Sequence, residues 1–146
     1  GCLPVIGTTL VQTNGYEPVA IFASLPAFFM TFNLLFLNEF PDTGPDREGG
    51  RRNLVLLLGR KRAAMLYCIL ALMVPASLIV GVVWGQLPVW SLAALIPSLL
   101  LLPAPFRWAL TAAEAPVPIP ALGANVIWNL STNLVLAAAL FLAAHF

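Results

Sequence analysis

Apolar residues in this chain come in long runs, broken by few charges, rather than in the strict alternation of a half-buried strand. A helix that crosses a membrane needs about 20 consecutive, mostly apolar residues. Four runs reach that length: about Pro18–Asn38, Arg62–Trp84, Leu87–Phe106 and Leu122–His145. Ahead of them, Leu3–Val11 is too short to span and reads as the tail of a preceding helix, closed by a turn at Asn14-Gly15. The pattern predicts an all-α, polytopic transmembrane bundle forming a single domain over 1–146, with residues 39–61 as a loop between the first two spans. No basic n-region opens the chain and many apolar runs follow, so a signal peptide is excluded.

The polar positions orient the spans. Six of the seven basic residues (Arg47, Arg51, Arg52, Arg60, Lys61 and Arg62) fall between the first and second spans. By the positive-inside rule that loop is cytoplasmic. The Gly85-Gln86 turn then lies outside, an Arg107–Glu114 loop inside and His145 outside. Trp84 and Trp90 bracket the outer turn and Trp108 sits past a span end, where an aromatic belt would put them. Pro75, Pro97 and Pro103 fall inside spans, and such residues are tolerated where neighbouring helices or a wet cavity satisfy the freed carbonyls.

Composition strengthens this picture. Apolar residues are 60% and charged residues 9%, against roughly 45–50% and about 25% in soluble domains. Mean hydropathy is +0.93, so thirteen charged side chains could not cover a soluble surface. A net charge of +1 says nothing about nucleic acid, but no basic, aromatic-interleaved patch exists to bind it, so none is expected as a partner. Cys2 and Cys68 have neither disulfide-framework nor metal-ligand spacing. The chain opens on Gly1 inside apolar sequence, which predicts a piece of a longer protein.

Chemistry concentrates in Asn38–Gly59, NEFPDTGPDREGGRRNLVLLLG. Asn38, Asp42 and Asp46 are spaced four apart, and Arg47, Gly49-Gly50, Arg51 and Arg52 follow at once. Carboxylates repel phosphate but can hold Mg²⁺, which keeps phosphate oxygens in its shell. Arginines can then pair bidentately with the phosphate itself. Acidic groups followed directly by cations at a membrane surface therefore suit a phosphorylated ligand. A P-loop is rejected, because Gly50 is followed by Arg51-Arg52 and not by Lys-Ser/Thr.

The string NExxDxxxD followed by DRxxGxRxL resembles the second aspartate-rich motif of the UbiA superfamily of intramembrane prenyltransferases. The upstream GTTLVQTNGYEPVAIFASLP, the NEFPD core, the downstream LGRKRA and the later ALGANV are most similar to its menaquinone-type branch, which prenylates 1,4-dihydroxy-2-naphthoate. The resemblance implies a nine-helix bundle around a cavity open sideways to lipid, of which these four spans would be helices six to nine. It implies polyprenyl diphosphate and an aromatic acceptor as substrates, Mg²⁺ (or Mn²⁺) as cofactor, and a bacterial or archaeal cell membrane. By the same resemblance Asp42 and Asp46 are the catalytic metal-binding pair, assisted by Asn38, and Arg47, Arg51 and Asn38 contact the diphosphate. Arg51 stands where the family usually has lysine, and Asn53 where it usually has threonine. The family's first aspartate motif is absent from this sequence, so an N-terminal half of the same protein is an implied partner and the 146 residues alone are expected to be inactive.

Two further patterns bear on the site. Gly44-Pro45 lies inside the aspartate pair, and a residue before proline is pushed out of the α region, so a shared helical face for Asp42 and Asp46 is not expected without a turn. Ser24, Thr31 and Asn38 recur every seven residues, as the face leading to Asp42. Asn125, Asn129 and Asn133 make an i, i+4 stripe that suits polar glue between helices better than ligand contact. Cys68 and His145 carry no evident role. Competing functions are a family enzyme with another acceptor (4-hydroxybenzoate, a chlorin or haem), or a non-catalytic polytopic protein.

Overall fold

The computed structural model describes residues 1–15 and 17–145, and every regular element among them is helical. In order these are α1 (Cys2–Thr13), α2 (Pro18–Glu48), α3 (Leu54–Leu58), α4 (Arg60–Val83), a 3-10 helix (Val89–Ala94), α5 (Leu95–Leu101), α6 (Pro103–Thr111) and α7 (Ile119–His145). Helices α2, α4 and α7 are each long and apolar enough to cross a membrane. The pair Val89–Leu101 and Pro103–Thr111 makes a fourth crossing only as a broken one, bent by 47°. The chain is thus an all-α, polytopic helical bundle.

The third crossing departs from the continuous Leu87–Phe106 helix that hydropathy predicts. It begins as a 3-10 turn, breaks at Leu102-Pro103 and runs on to Thr111, so much of the expected Arg107–Glu114 loop is helical. Pro103 has no N–H to donate one turn back, and its ring crowds the carbonyl four residues earlier. Leu102 N–H donates to Ser98 O at 3.2 Å and Phe106 N–H to Leu102 O at 3.0 Å, bracketing the break. Trp108 is buried in the bundle, whereas Trp84 and Trp90 are exposed.

The core forms where α4 packs on α2. Ala63, Ala64, Tyr67, Ala71, Val74 and Leu78 of α4 are buried, and their small members let the two backbones approach closely. Opposite them α2 buries Met30, Phe36, Leu37 and Phe40. Helix α7 closes this pair through Ala121, Asn125, Trp128 and Thr132. Buried polar bonds lock the three together. Tyr67 OH donates to Asn125 Oδ1 at 3.0 Å, and Asn125 Nδ2 donates to Asn33 O at 3.3 Å. Trp128 Nε1 donates to Ser98 Oγ at 2.9 Å, fixing α7 to α5. The reading of Asn125 as glue between helices therefore agrees with the structure. Asn133 instead bonds back to Asn129 within α7, at 2.9 Å to its carbonyl oxygen.

The every-seventh stripe on α2 does not form one environment. Ser24 is buried where α1 crosses, with Cys2 Sγ 3.5 Å from its carbonyl oxygen, and its own hydroxyl donates to Ile21 O. Thr31 and Asn38 are exposed. A straight helix drifts about 20° per seven residues, enough to carry the upper end under α1. The continuous exposed face is instead Phe28, Thr31, Phe32, Leu35, Asn38 and Asp42, apolar first and polar at the motif end.

Candidate functional site

The motif is helical, not a loop. Helix α2 continues through Pro41 and Pro45 to Glu48, so Asp42 and Asp46 share one face a turn apart, with Asn38 one turn before them. The expectation that Pro45 would separate the pair is overturned. Gly44, the residue before Pro45, has no Cβ, which removes part of the clash that drives pre-proline residues out of the helical region. Tertiary contacts at Phe40 hold the rest. Its ring meets Trp108 edge-on at 5.0 Å, and the Arg60 guanidinium lies 5.4 Å from the ring centroid.

The glycine pair ends the helix in a Schellman motif. Gly50 has φ 69°, the left-handed conformation that glycine adopts without a Cβ penalty. Arg51 N–H donates to Asp46 O at 2.8 Å and Gly50 N–H to Arg47 O at 3.3 Å, the two bonds that define the cap. The cap turns the chain back, so Arg51 starts beside Asp46 despite four intervening positions. Arg47 sits in the last turn, where a cation complements the helix dipole. At about 100° per residue it lies roughly 140° around the helix from Asp42, so the two do not share a face.

A second brace comes from residues the motif spacing did not single out. Asn53 caps α3 by accepting from Leu56 N–H at 2.8 Å, and its Nδ2 donates to Asp46 Oδ2 at 2.9 Å and to Glu39 O at 3.4 Å. Glu39 Oε2 accepts from Leu54 N–H at 2.9 Å, at the start of α3. An asparagine directly before the apolar run Leu54–Leu58 is a helix-start signal, so α3 forms inside the stretch 39–61 that was expected to be a loop. The contact to Asp46 was not, because it depends on where the Schellman cap sends the chain.

Asp42 is exposed and Asp46 half-buried. Among the described residues no group of three or more His, Cys, Asp or Glu side chains converges as a ready metal cage. Glu39 accepts from Leu54 N–H at the start of α3. What remains is a carboxylate pair with the Asn38 amide one turn away. That donor set fits Mg²⁺, which binds through one or two carboxylates and fills its octahedron with water and phosphate oxygens. A hollow of about 260 Å³ at this end is lined by Phe40, Pro41, Thr43, Arg60, Glu114, Pro116 and Val117, and not by the aspartates themselves.

Comparison with known proteins adds one finding. The model of the UbiA prenyltransferase family matches residues 1–117, from α1 through the proline-rich connection after α6. No curated protein and no solved structure matches the chain.

Proposed function

Since the chain belongs to the UbiA prenyltransferase family, we propose that it transfers a polyprenyl group from polyprenyl diphosphate to 1,4-dihydroxy-2-naphthoate, a step of menaquinone biosynthesis. The observation that carries this reading is the stacking of Asn38, Asp42 and Asp46 on one face of α2, with the backbone of Arg51 folded back beside Asp46. Asp42 and Asp46, helped by Asn38, would hold Mg²⁺ on the donor. Bound there, the ion supplies neutralising charge to the departing diphosphate.

The chain's own residues would do the following. Asp46 is held by Asn53 Nδ2 through one carboxylate oxygen, which leaves the other to serve the ion. Arg51 and Arg47 offer guanidinium forks to the diphosphate oxygens, stabilising the charge that develops as the allylic C–O bond breaks and its electron pair leaves with the phosphate. Phe28, Phe32 and Leu35 continue the same face as an apolar track for the isoprenoid chain. The allylic cation forms a C–C bond with the electron-rich ring, and aromaticity returns when the attacked carbon loses its proton or carboxyl group. Exclusion of water along that track delays capture of the cation as an alcohol. The choice of naphthoate over other aromatic acceptors rests on the likeness of GTTLVQTNGYEP, NEFPD and LGRKRA to the menaquinone branch.

The test is prenyl transfer in membranes carrying the full-length protein, with labelled polyprenyl diphosphate and each acceptor in turn. Activity should require Mg²⁺ or Mn²⁺, and Asp42→Ala or Asp46→Ala should lower turnover on the order of 10²-fold or more while the protein still inserts. Undiminished turnover in excess chelator would end the metal reading. Preference for 4-hydroxybenzoate would end the assignment to the menaquinone branch.

A further inference from the structure

We propose that Arg60 is a positioning residue for the aspartate pair: it straps the proline-rich connection after α6 onto Phe40 and so sets where the end of α2 sits. The proposal rests on the metal–diphosphate reading of Asp42 and Asp46. Three donors of this one guanidinium reach three backbone carbonyls outside its own helix. Nε donates to Ala113 O at 2.9 Å, Nη2 to Ala115 O at 2.8 Å and Nη1 to Phe40 O at 3.1 Å. Its plane also lies over the Phe40 ring, 5.4 Å from the centroid. A permanent cation bonded to carbonyls of two separate segments is a cross-brace, and the planar guanidinium holds its donors in a fixed fork that a flexible ammonium does not reproduce.

The brace lands where the helix needs one. Phe40 is the residue before Pro41 and two before Asp42, and Pro41 and Pro45 each remove a backbone donor from this last stretch. With fewer internal bonds, the direction of the helix end is set by what grips it from outside. Trp108 completes the grip. Its indole edge meets the Phe40 ring, and its Nε1 donates at 3.2 Å to Ala115 O, the carbonyl that Arg60 also holds. The neighbours Lys61 and Arg62 are exposed, so the strap belongs to Arg60 and not to the basic run as a whole. A displacement of about 1 Å at a reacting centre can cost roughly 10²-fold in rate, which is the scale on which losing the strap would act.

The experiment compares full-length wild type, Arg60→Gln and Arg60→Lys in nanodiscs. Hydrogen exchange is measured first, without substrate or metal. Both variants should speed exchange at least about tenfold in residues 40–50 and 112–117, leaving 63–83 and 121–145 unchanged. In prenyl transfer the half-saturating Mg²⁺ concentration should rise about tenfold and kcat fall by about 10- to 100-fold, with saturating Mg²⁺ recovering part of the loss. Unchanged exchange at 40–50, wild-type Mg²⁺ dependence, or faster exchange throughout the bundle would each overturn the proposal. So would failure of both variants to insert, since Arg60 would then be needed for folding itself. Asp46→Ala is run alongside. If it is as active as wild type, the metal reading falls and the strap with it; if it is inactive while both Arg60 variants behave as wild type, only the strap falls.

Discussion

Asn53 stands at the junction of the fold and the chemistry, and replacing it separates the two. In Asn53→Ala, α3 loses its side-chain cap, a loss of about 1 kcal/mol. The bond from Nδ2 to the Asp46 carboxylate, 2.9 Å long, is also lost. A hydrogen bond to an ionised group contributes roughly 1.5–3 kcal/mol when dry, and the lower end applies here because both residues are partly exposed. The 3.4 Å contact to Glu39 O adds little. Together the substitution should destabilise by about 2 to 2.5 kcal/mol, seen as a melting temperature lower by several degrees in detergent. Asp46 would then sample other rotamers, and about 1.4 kcal/mol of lost orientation is a tenfold loss of rate. Asn53→Ser distinguishes the two roles, since serine caps a helix as well as asparagine but is too short to reach Asp46 as the amide does. Melting should recover by about 1 kcal/mol in Asn53→Ser while prenyl transfer stays about tenfold down. If serine restores activity along with stability, the contact to Asp46 has no part in function and the reasoning fails.

Other outcomes follow from single contacts. Tyr67→Phe leaves Asn125 Oδ1 without its 3.0 Å donor in a buried position and should destabilise by about 1–2 kcal/mol; a double-mutant cycle with Asn125→Leu that shows no coupling would deny the bond its role. Gly50→Ala puts a Cβ at φ 69° and should cost about 1 kcal/mol in a melting experiment, with Gly50→Asn milder because asparagine tolerates the left-handed region. For orientation, Glu48→Cys in a background lacking Cys2 and Cys68 should be labelled from the cytoplasm and Gln86→Cys from outside; the reverse pattern would overturn the membrane orientation and the helix numbering tied to it.

The crossings were legible in the sequence because hydrocarbon imposes one rule: every backbone group must be satisfied internally, so a long apolar run can only be a helix. Length and composition therefore located α2, α4 and α7 within a few residues at most ends. The residue types at the candidate site were legible too, as a carboxylate pair followed by arginines at the end of an apolar run. Local rules failed at prolines. Pro103 broke its crossing while Pro41 and Pro45 did not break theirs, although the isolated sequence treats all three alike. At the end of α2 Arg60 and Trp108 contact Phe40 and the helix runs on through Pro41 and Pro45, whereas at Leu102 the bundle accepts a 47° bend. Asn53 facing Asp46, and Arg60 joining the end of α2 to the connection after α6, bring together residues 7, 20 and 55 positions apart. Such contacts depend on how caps and bends redirect the chain in space. Spacing along the sequence records which groups are available; the packed structure alone decides which of them meet.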